Sequence, residues 1–436
     1  MDTSLLAVYA APLLLVMFWY LRRHVRVDRH SRAVQFEAKE AGLIEPASIH
    51  PVIDPVRCLG CGACVRACPQ EPEHHVLGII DGKAQLVGPT DCIGHGVCKA
   101  ACPVDAISLV FGTATRGLDL PVLSPTFESN VPGLYIAGEL GGMGLIRNAL
   151  MQGQKAIESI VKANRRAPGK RLDVLIVGAG PAGMAAALAA KAMNLTYRCI
   201  DQESLGGCVY KYPRGKLVMT APVELPLEGK MFFRQTSKEH LLGVWTGIVQ
   251  KHELRIQCNE RVENIEADGD GFIVRTSKAA YRASTVLLAI GRRGTPRKLS
   301  VPGEELPKVV YQLIDPDQYI GQSVLVVGGG DSALEAAASI AEAQGMQVTL
   351  SYRGDAFGRA KPKNRQRVAQ AADRGNLKLM LSSSVSQIHP ELVILKQGDQ
   401  QHEIPNGAVI VSAGGVLPNE FLNKIGIRVE TKYGTA

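Results

Sequence analysis

The sequence predicts an α/β protein with two domains of parallel sheet and helices, one small cysteine-rich α+β domain and one N-terminal transmembrane helix. Three observations predict this architecture. Two glycine-rich turns each follow an apolar strand and precede an alanine-rich helix, seven of the ten cysteines fall between Cys58 and Cys102, and the run Leu5–Leu21 carries no charged side chain. A length of 436 residues leaves room for about three domains.

Composition places the chain among folded globular proteins. Hydrophobic residues make up 46% and charged residues 21%, which excludes a disordered or collagen-like chain. Aromatic residues make up only 5%, and most of the formal net charge of +8 is spread along the chain. Nucleic-acid binding through stacked bases needs more aromatic side chains than this, so we expect no nucleic-acid partner.

The N-terminal segment predicts a membrane anchor. As a helix, Leu5–Leu21 would be about 26 Å long, close to the lower limit for crossing a bilayer. Trp19 and Tyr20 stand at its end, where aromatic rings favour the membrane interface. Arginines follow at once, and the positive-inside rule places them in the cytoplasm. We therefore expect a single-pass protein of the inner (cytoplasmic) membrane with cytoplasmic catalytic domains; the alternative is a buried core helix.

The cysteines form two interleaved runs typical of iron–sulfur ligation. Both have the spacing C-x2-C-x2-C-x3-C-P of bacterial ferredoxins, with histidine at the second position of the second run. Zinc is the weaker alternative, because a structural zinc site closes with four ligands and eight are present. The predicted ligands are Cys58, Cys61, Cys64 and Cys68 in the first run and Cys92, His95, Cys98 and Cys102 in the second.

Residues 50–111 therefore resemble a dicluster 4Fe-4S ferredoxin domain. For His95 two alternatives stay open: the imidazole ligates iron, or that corner is empty and the cluster is a 3Fe-4S form. The resemblance implies that cluster one is held by Cys58, Cys61, Cys64 and Cys102, and cluster two by Cys68, Cys92 and Cys98.

The first glycine turn predicts a dinucleotide site. Leu172–Val177 is a continuous apolar run, typical of a strand buried on both faces, and it leads into the turn and then a helix. Asp201 ends the next apolar run, where an acid can bind a ribose hydroxyl pair. The residues expected at the nucleotide are Gly178, Gly180, Pro181, Ala182, Gly183 and Asp201.

The second glycine turn follows Ser323–Val327 and predicts another dinucleotide site. Counted from its glycine turn, Ser351 occupies the position that Asp201 occupies after the first turn, and a basic loop follows it. This position carries no carboxylate that would repel a 2′-phosphate, and arginine can bind one, so NADPH is favoured over NADH. The alternative is that the basic loop is only solvated and binds no phosphate. The residues expected here are Gly328, Gly330, Asp331, Ser332, Ala333, Arg353, Arg359 and Lys361.

Two such units in one chain resemble the thioredoxin reductase-like and ferredoxin reductase-like flavoprotein oxidoreductases. The resemblance covers residues 112–436 and implies two Rossmann-like domains, with FAD on the first and NAD(P)H on the second. Gly138 and Glu139 look like the family's flavin motif, with Glu in place of the usual Asp. Gly291 ends a stretch that looks like the strand leaving the NAD(P) region.

The order of these parts is unusual, because that flavin motif normally follows the nicotinamide domain. We infer a circular permutation. The expected domains are a transmembrane anchor (1–24), a basic linker (25–49), the dicluster ferredoxin domain (50–111), the permuted C-terminal part of the FAD domain (112–166), the FAD-binding domain (167–300), the NAD(P)-binding domain (301–412) and a return to the FAD domain (413–436).

The resemblance implies an electron-transfer enzyme. Val309–Gly321 has no cysteine where thioredoxin reductases carry C-x-x-C, and Cys208 has no neighbouring partner, so a dithiol relay is not expected. We expect electrons to pass, in either direction, between NADPH, FAD, the clusters and a redox protein or quinone, with no acid–base residue required. The open alternatives are a flavoenzyme that reduces a small organic substrate and a non-catalytic, membrane-tethered redox sensor; a homodimer is compatible with each.

Overall fold

The structure is a computed structural model and divides into two compact units. The first unit comprises Met1–Gly117, Ala356–Lys363 and Tyr433–Ala436, and the second comprises Leu118–Asp355 and Asn364–Lys432. The residues described are 3–40, 46, 49–71, 75–92, 94–113, 117–142, 144–164, 171–214, 216–219, 222–231, 235–292, 294–343, 346–358 and 360–434.

The first unit contains a long helix and a small α+β domain. Strands β1 and β4 pair antiparallel, and β2 and β3 form a hairpin with two short helices nearby. The elements are α1 (Thr3–Glu40), β1 (His50–Ile53), α2 (Ala63–Ala67), β2 (Leu77–Ile80), β3 (Lys83–Leu86), α3 (Val97–Ala100) and β4 (Ile107–Val110).

Helix α1 corrects the expected membrane topology. The uncharged run belongs to one continuous helix of 38 residues, and the second half of that helix is attached to the β2–β3 hairpin. Ser31 is buried, a Cβ at Gly78 would lie 2.6 Å from its Oγ, and Arg32 pairs with Asp81. In the described part of the chain, no helix has the length and apolar character that a membrane crossing requires. The transmembrane anchor at 1–24 and the inner-membrane location are therefore wrong predictions.

The second unit begins with a domain built on a seven-stranded sheet, which we call the first nucleotide domain. Its strand order is β13-β8-β7-β16-β15-β14, and β6 also pairs with β16. The elements are β5 (Leu118–Pro121), β6 (Leu134–Ile136), α4 (Ile146–Lys162), β7 (Leu172–Val177), α5 (Pro181–Ala192), β8 (Tyr197–Ile200), β9 (Leu217–Met219), β10 (Val223–Leu225), β11 (Gly229–Met231), β12 (Gln235–Ser237), α6 (Lys238–Lys251), β13 (Ile256–Gln257), β14 (Val262–Asp268), β15 (Gly271–Thr276) and β16 (Ala280–Leu288).

The parallel centre of this sheet explains its sequence. Strands β6, β16, β7, β8 and β13 run parallel, and β7 is buried from its second residue onward, as its continuous apolar run predicts. Helix α5 has nine buried residues, because it packs between the sheet and α4. The opposite face of the sheet packs against the segment near the C-terminus through Leu422, Ile425 and Ile427.

A five-stranded parallel sheet forms the second nucleotide domain, with strand order β18-β25-β19-β20-β21. A three-stranded antiparallel sheet packs against it. The elements are β17 (Thr295–Pro296), β18 (Val309–Val310), β19 (Ser323–Val327), α7 (Asp331–Ala341), β20 (Gln347–Ser351), α8 (Pro362–Asp373), β21 (Leu377–Met380), β22 (Ser383–Ile388), β23 (Leu392–Gln397), β24 (Gln400–Pro405), β25 (Ala408–Val411) and β26 (Gly415–Val416).

Two antiparallel strand pairs connect the parts of the second unit. Strands β17 and β26 carry the chain into and out of the second nucleotide domain side by side. The last elements are α9 (Asn419–Lys424) and β27 (Val429–Lys432), and β27 pairs with β5, so that Lys432 lies opposite Leu118. The α/β architecture is thus confirmed, and the apolar runs predicted as β7 and β19 are strands with the expected bounds.

The α4–α5 contact yields a stability prediction. A Cβ at Gly153 of α4 would lie 2.0 Å from the carbonyl oxygen of Ala182 in α5, whereas a Cβ at Gly247 of α6 meets no atom within 4 Å. We expect Gly153→Ala to lower the free energy of unfolding by about 1–3 kcal/mol through overpacking. The matched Gly247→Ala substitution should raise it by up to about 1 kcal/mol, because alanine favours the helix. Urea denaturation measures both; shifts of equal size and sign would contradict the packing.

Candidate functional site

The first glycine turn connects β7 to α5 and admits no side chain at two of its glycines. Gly178 has φ +108°, and a Cβ there would lie 2.4 Å from the carbonyl oxygen of Ala289. A Cβ at Gly183 would lie 1.7 Å from the carbonyl oxygen of Gly178. Helix α5 starts at Pro181 without a side-chain cap. Its first N–H groups are therefore available to an anion, as at the pyrophosphate sites of Rossmann-like folds.

Asp201 lies at the mouth of this turn, where the sequence predicts it. Its side chain is 9% exposed, Oδ2 accepts a hydrogen bond from the Ala179 amide at 2.6 Å, and Oδ1 accepts one from the Glu203 amide at 2.8 Å. Burial raises the pKa of Asp201, although these two amides act in the opposite direction. The bonds hold the carboxyl group beside the turn in a position suited to a ribose.

Gly138 and Glu139, which resemble the family's flavin motif, lie beside the same turn although they come from an earlier part of the chain. Strand β6 pairs with β16, and a Cβ at Gly138 would lie 3.1 Å from the Cβ of Ala182. The Gly138 amide donates to Oε1 of Gln152 in α4 at 2.8 Å. Glu139 opens a short 3₁₀-helix directly afterwards. The structure thus brings Gly138 next to the residues of the first glycine turn.

A short loop lies over the first turn and includes Cys208. Gly207 has φ +55°, and a Cβ there would lie 3.0 Å from the Cα of Gly180. Gly291, just beyond β16, has φ +66°, and its Cβ position is 4.0 Å from the Cys208 Sγ. Cys208 and Gly291 therefore face each other at the edge of the first site.

Cys199 lies in the interior of the first nucleotide domain. Its side chain is fully buried in β8, with Sγ 3.5 Å from the carbonyl oxygen of Gly178. Burial raises its pKa well above the usual range, so the thiol stays neutral. No disulfide bond joins any of the ten cysteines, all of which lie in the described part of the chain. We interpret Cys199 as part of the core of the first nucleotide domain.

The second glycine turn connects β19 to α7 in the same manner. Gly328 has φ +144°, and a Cβ there would lie 2.4 Å from the carbonyl oxygen of Ser412. Helix α7 starts at Asp331 without a side-chain cap, and Ser332 is exposed. Ala333, which stands where the first turn has Gly183, is fully buried. A Cβ at Gly330 meets no atom within 4 Å, so space is open in front of the helix.

Polar contacts fix the start of α7 within the second nucleotide domain and join that domain to the first. The Lys216 ammonium donates to Oε2 of Glu335 at 2.5 Å. Asn364 Nδ2 donates to Oδ1 of Asp331 at 2.8 Å and to Oε1 of Glu335 at 3.1 Å. Arg214 pairs with Asp315 at 3.2 Å. Sequence reasoning missed these contacts, because 119 positions separate Lys216 from Glu335 and no local pattern connects them.

The predicted basic loop of the second site is divided between the two units. Arg353 is exposed and belongs to the second unit, whereas Lys361 belongs to the first. Arg359 lies outside the described residues. Ser351 is fully buried, and its hydroxyl lies 2.8 Å from that of Ser383, so it does not face a nucleotide.

Four cysteine thiols line one cavity in the first unit: Cys58, Cys61, Cys64 and Cys102. These are the four that the sequence assigns to cluster one. The amides of Gly60 and Ala84 each point to the Cys58 sulfur at 3.4 Å, and the Ala106 amide points to the Cys102 sulfur at 3.2 Å. Such amides stabilise the negative charge of an iron–sulfur cluster, so the cavity fits the group.

Cys68, Cys92 and Cys98 form the second group of thiols. Burial raises the pKa of Cys92 to about 11, and the neighbouring Cys98 and Cys68 act in the same direction. His95 keeps more than a third of its surface exposed, and partial burial lowers its pKa. Among the described residues, no three His, Cys, Asp or Glu side chains converge on a single metal ion.

Comparison with known proteins finds relatives for two parts of the chain. Residues 175–435 match the family described as pyridine nucleotide-disulphide oxidoreductase, and residues 50–103 match the 4Fe-4S dicluster domain. The chain is 29% identical to a ferredoxin–NADP reductase of Ignicoccus hospitalis over 60% of this chain and 83% of that protein. It is 25% identical to bacilliredoxin reductase Bdr of Bacillus subtilis over 60% of this chain and 82% of that protein. The solved bacillithiol disulfide reductase of Bacillus cereus superposes with a TM-score of 0.55 at 25% identity. The superposition covers 60% of this chain and 83% of that one.

The contact between Lys216 and Glu335 yields a prediction for a double-mutant cycle. Both side chains are more than two-thirds buried. We expect Lys216→Met and Glu335→Gln to show a coupling of about 1–3 kcal/mol in the free energy of unfolding. The control cycle at Lys432 and Glu430, where both side chains are more than half exposed, should give at most about 0.5 kcal/mol. Similar couplings in the two cycles would contradict a fixed contact between the nucleotide domains.

The cluster assignment yields a prediction for bound iron. We expect Cys61→Ala to lower the iron content per chain by about half, because it removes one ligand of cluster one. Cys258→Ala changes a thiol of the second unit and should leave the iron content unchanged. Iron and acid-labile sulfide are measured on protein purified without oxygen. Full iron in Cys61→Ala would refute the assignment.

Proposed function

We propose that this chain, which belongs to the pyridine nucleotide-disulphide oxidoreductase family, passes electrons between NADPH and a redox partner by way of FAD and two iron–sulfur clusters. Its family and its dicluster domain make the chain an FAD-dependent NAD(P)H oxidoreductase with an iron–sulfur domain. One observation carries the finer proposal: two glycine turns, each at an uncapped helix, occur in one chain with a cavity lined by four cluster thiols.

The residues of the two turns would bind and orient the dinucleotides. The N–H groups at the start of α5 and of α7 suit the pyrophosphates, and Asp201 suits the ribose of FAD. Gly138 would lie beside the flavin, because it adjoins Ala182. No general acid or base is required, since hydride and single-electron transfer move no proton to a side chain.

The cofactors supply the redox chemistry. FAD exchanges electrons both in pairs, as hydride, and singly, whereas iron–sulfur clusters exchange them singly. The cysteine thiols would hold the clusters, and the amides of Ala84 and Ala106 would stabilise their charge. A small redox protein is the acceptor or donor that suits such clusters best; a quinone is the alternative.

We also propose that the first nucleotide domain is circularly permuted. Strand β6 and helix α4, which complete this domain, stand before its glycine turn in the chain. The family match begins only at residue 175, and the Ignicoccus protein aligns over 83% of its length. Strand β27 runs beside β5, so the two ends of the proposed permuted segment are adjacent. These observations support the proposal.

The proposed function predicts reduction of the clusters by NADPH. When NADPH is added without oxygen, we expect the flavin absorbance to bleach and an electron paramagnetic resonance signal of reduced clusters to develop. In the Gly330→Val variant, the new Cβ meets no protein atom within 4 Å, and the side chain occupies the space in front of α7. NADPH should therefore reduce neither group in this variant, whereas dithionite should still reduce the clusters. Clusters that stay oxidised while the flavin of the wild-type protein is reduced would refute the relay.

A further inference from the structure

Two cations are bound to the backbone of the first cysteine run. The Lys83 ammonium donates to the carbonyl oxygen of Cys58 at 2.6 Å, and the Arg66 guanidinium donates to that of Cys61 at 3.2 Å. Cys58 and Cys61 both line the cavity that fits cluster one. Two positive charges are therefore held at residues that supply two of the four thiols of this cluster.

Lys83 is the better placed of the two cations. It opens strand β3, and the next residue, Ala84, lines the same cavity and points its amide to the Cys58 sulfur at 3.4 Å. Lys83 is partly buried, whereas Arg66 is exposed. Because water screens an exposed charge more strongly than a partly buried one, Lys83 acts more strongly on the cavity.

The carboxylates that stand near the first run are exposed. Asp54, whose carbonyl oxygen accepts from the Cys58 amide, lies 3.6 Å from Arg57. Asp105 donates its amide to the carbonyl oxygen of Cys102 at 3.4 Å, and its side chain is open to solvent. Solvent and the neighbouring arginine therefore weaken the negative charge on this side.

The second group of thiols has buried carboxyl groups beside it. The Glu71 amide donates to the carbonyl oxygen of Cys68 at 3.1 Å, and Asp91 directly precedes Cys92. Oε1 of Glu71 and Oδ1 of Asp91 are both buried. Burial raises the pKa of Cys68 and of Cys92, and the charges of Glu71 and Asp91 act in the same direction.

Basic side chains near the second group offset this charge less effectively. His75 Nδ1 lies 3.2 Å from Oε2 of Glu71 and compensates its charge only when the imidazole is protonated. Lys99, which follows Cys98, is exposed. The two groups of thiols therefore differ in charge: cations adjoin the first and buried carboxyl groups adjoin the second.

We propose that Lys83, assisted by Arg66, raises the reduction potential of cluster one above that of cluster two, so that cluster one takes up an electron first. This inference rests on the proposed function, in which both clusters are bound. Uptake of one electron adds one negative charge to a cluster, which a nearby cation stabilises and a nearby carboxylate opposes. An imidazole ligand at His95 would act against this order, because it raises the potential of its own cluster.

A redox titration followed by electron paramagnetic resonance tests this order without NADPH. Protein purified without oxygen is titrated with dithionite in the presence of redox mediators. We expect wild-type protein to show two separate one-electron steps. Cys61→Ala removes a ligand of cluster one and should abolish the step at the higher potential. Loss of the step at the lower potential instead would overturn the inference.

Variants of Lys83 keep the test decisive if Cys61→Ala fails to fold. Lys83→Gln keeps a hydrogen-bond donor but removes the charge. At the wild-type midpoint of the higher step, it should lower the ratio of reduced to oxidised cluster at least about tenfold, which is a shift of about 59 mV for one electron. The matched Lys83→Arg variant keeps the charge and should change this ratio by less than about twofold.

The outcomes separate this inference from the proposed function. An unchanged higher step in Lys83→Gln, or equal shifts in Lys83→Gln and Lys83→Arg, would overturn the inference and leave the proposed function intact. Wild-type protein that holds neither iron nor acid-labile sulfide would overturn the clusters themselves, and with them the proposed function.

Discussion

The close contact between α4 and α5 is the constraint on which the first nucleotide domain depends. Gly153 lets the two helices approach until the Ala182 carbonyl oxygen lies where a side chain would otherwise stand. The preceding residue, Gln152, then accepts the hydrogen bond from Gly138. One helix therefore holds both the packing of α5 and the position of the flavin-like motif. The helix contact thus adds to the strand pairing of β6, β16 and β7, which places the motif and the turn at the same edge of the sheet.

The same turn geometry occurs in both nucleotide domains. The two copies differ in the residue that follows the neighbouring strand, β8 in the first domain and β20 in the second. A carboxylate stands beside the first turn and an aromatic ring beside the second, although the backbone hydrogen bonds around them are equivalent. The β17–β26 pair and the contact between Lys216 and Glu335 join the two domains. The two turns therefore share one backbone arrangement and differ in the side chain that lies beside it.

Much of this architecture follows from the sequence, since its signals are local. A continuous apolar run is enough to predict β7, and the resemblance to dicluster ferredoxins implies the four thiols that line one cavity of the first unit. Long-range contacts leave no such signal, so the contact between Lys216 and Glu335 was missed. Tyr352, rather than Ser351, lies beside the second glycine turn, because the second nucleotide domain has one residue more between its turn and the end of β20, which only the strand register reveals. The membrane anchor was predicted from an uncharged run in isolation, whereas that run belongs to a longer helix attached to the β2–β3 hairpin.

In the proposed function, the clusters and the nucleotide sites exchange electrons within one chain. The most direct measurement starts from protein that has been fully reduced with dithionite, freed of the excess reductant and mixed with NADP⁺ without oxygen. Two electrons from FAD and one from each cluster should form about two NADPH per chain, seen as absorbance at about 340 nm. A yield of about one NADPH per chain, with the clusters still reduced, would contradict the claim.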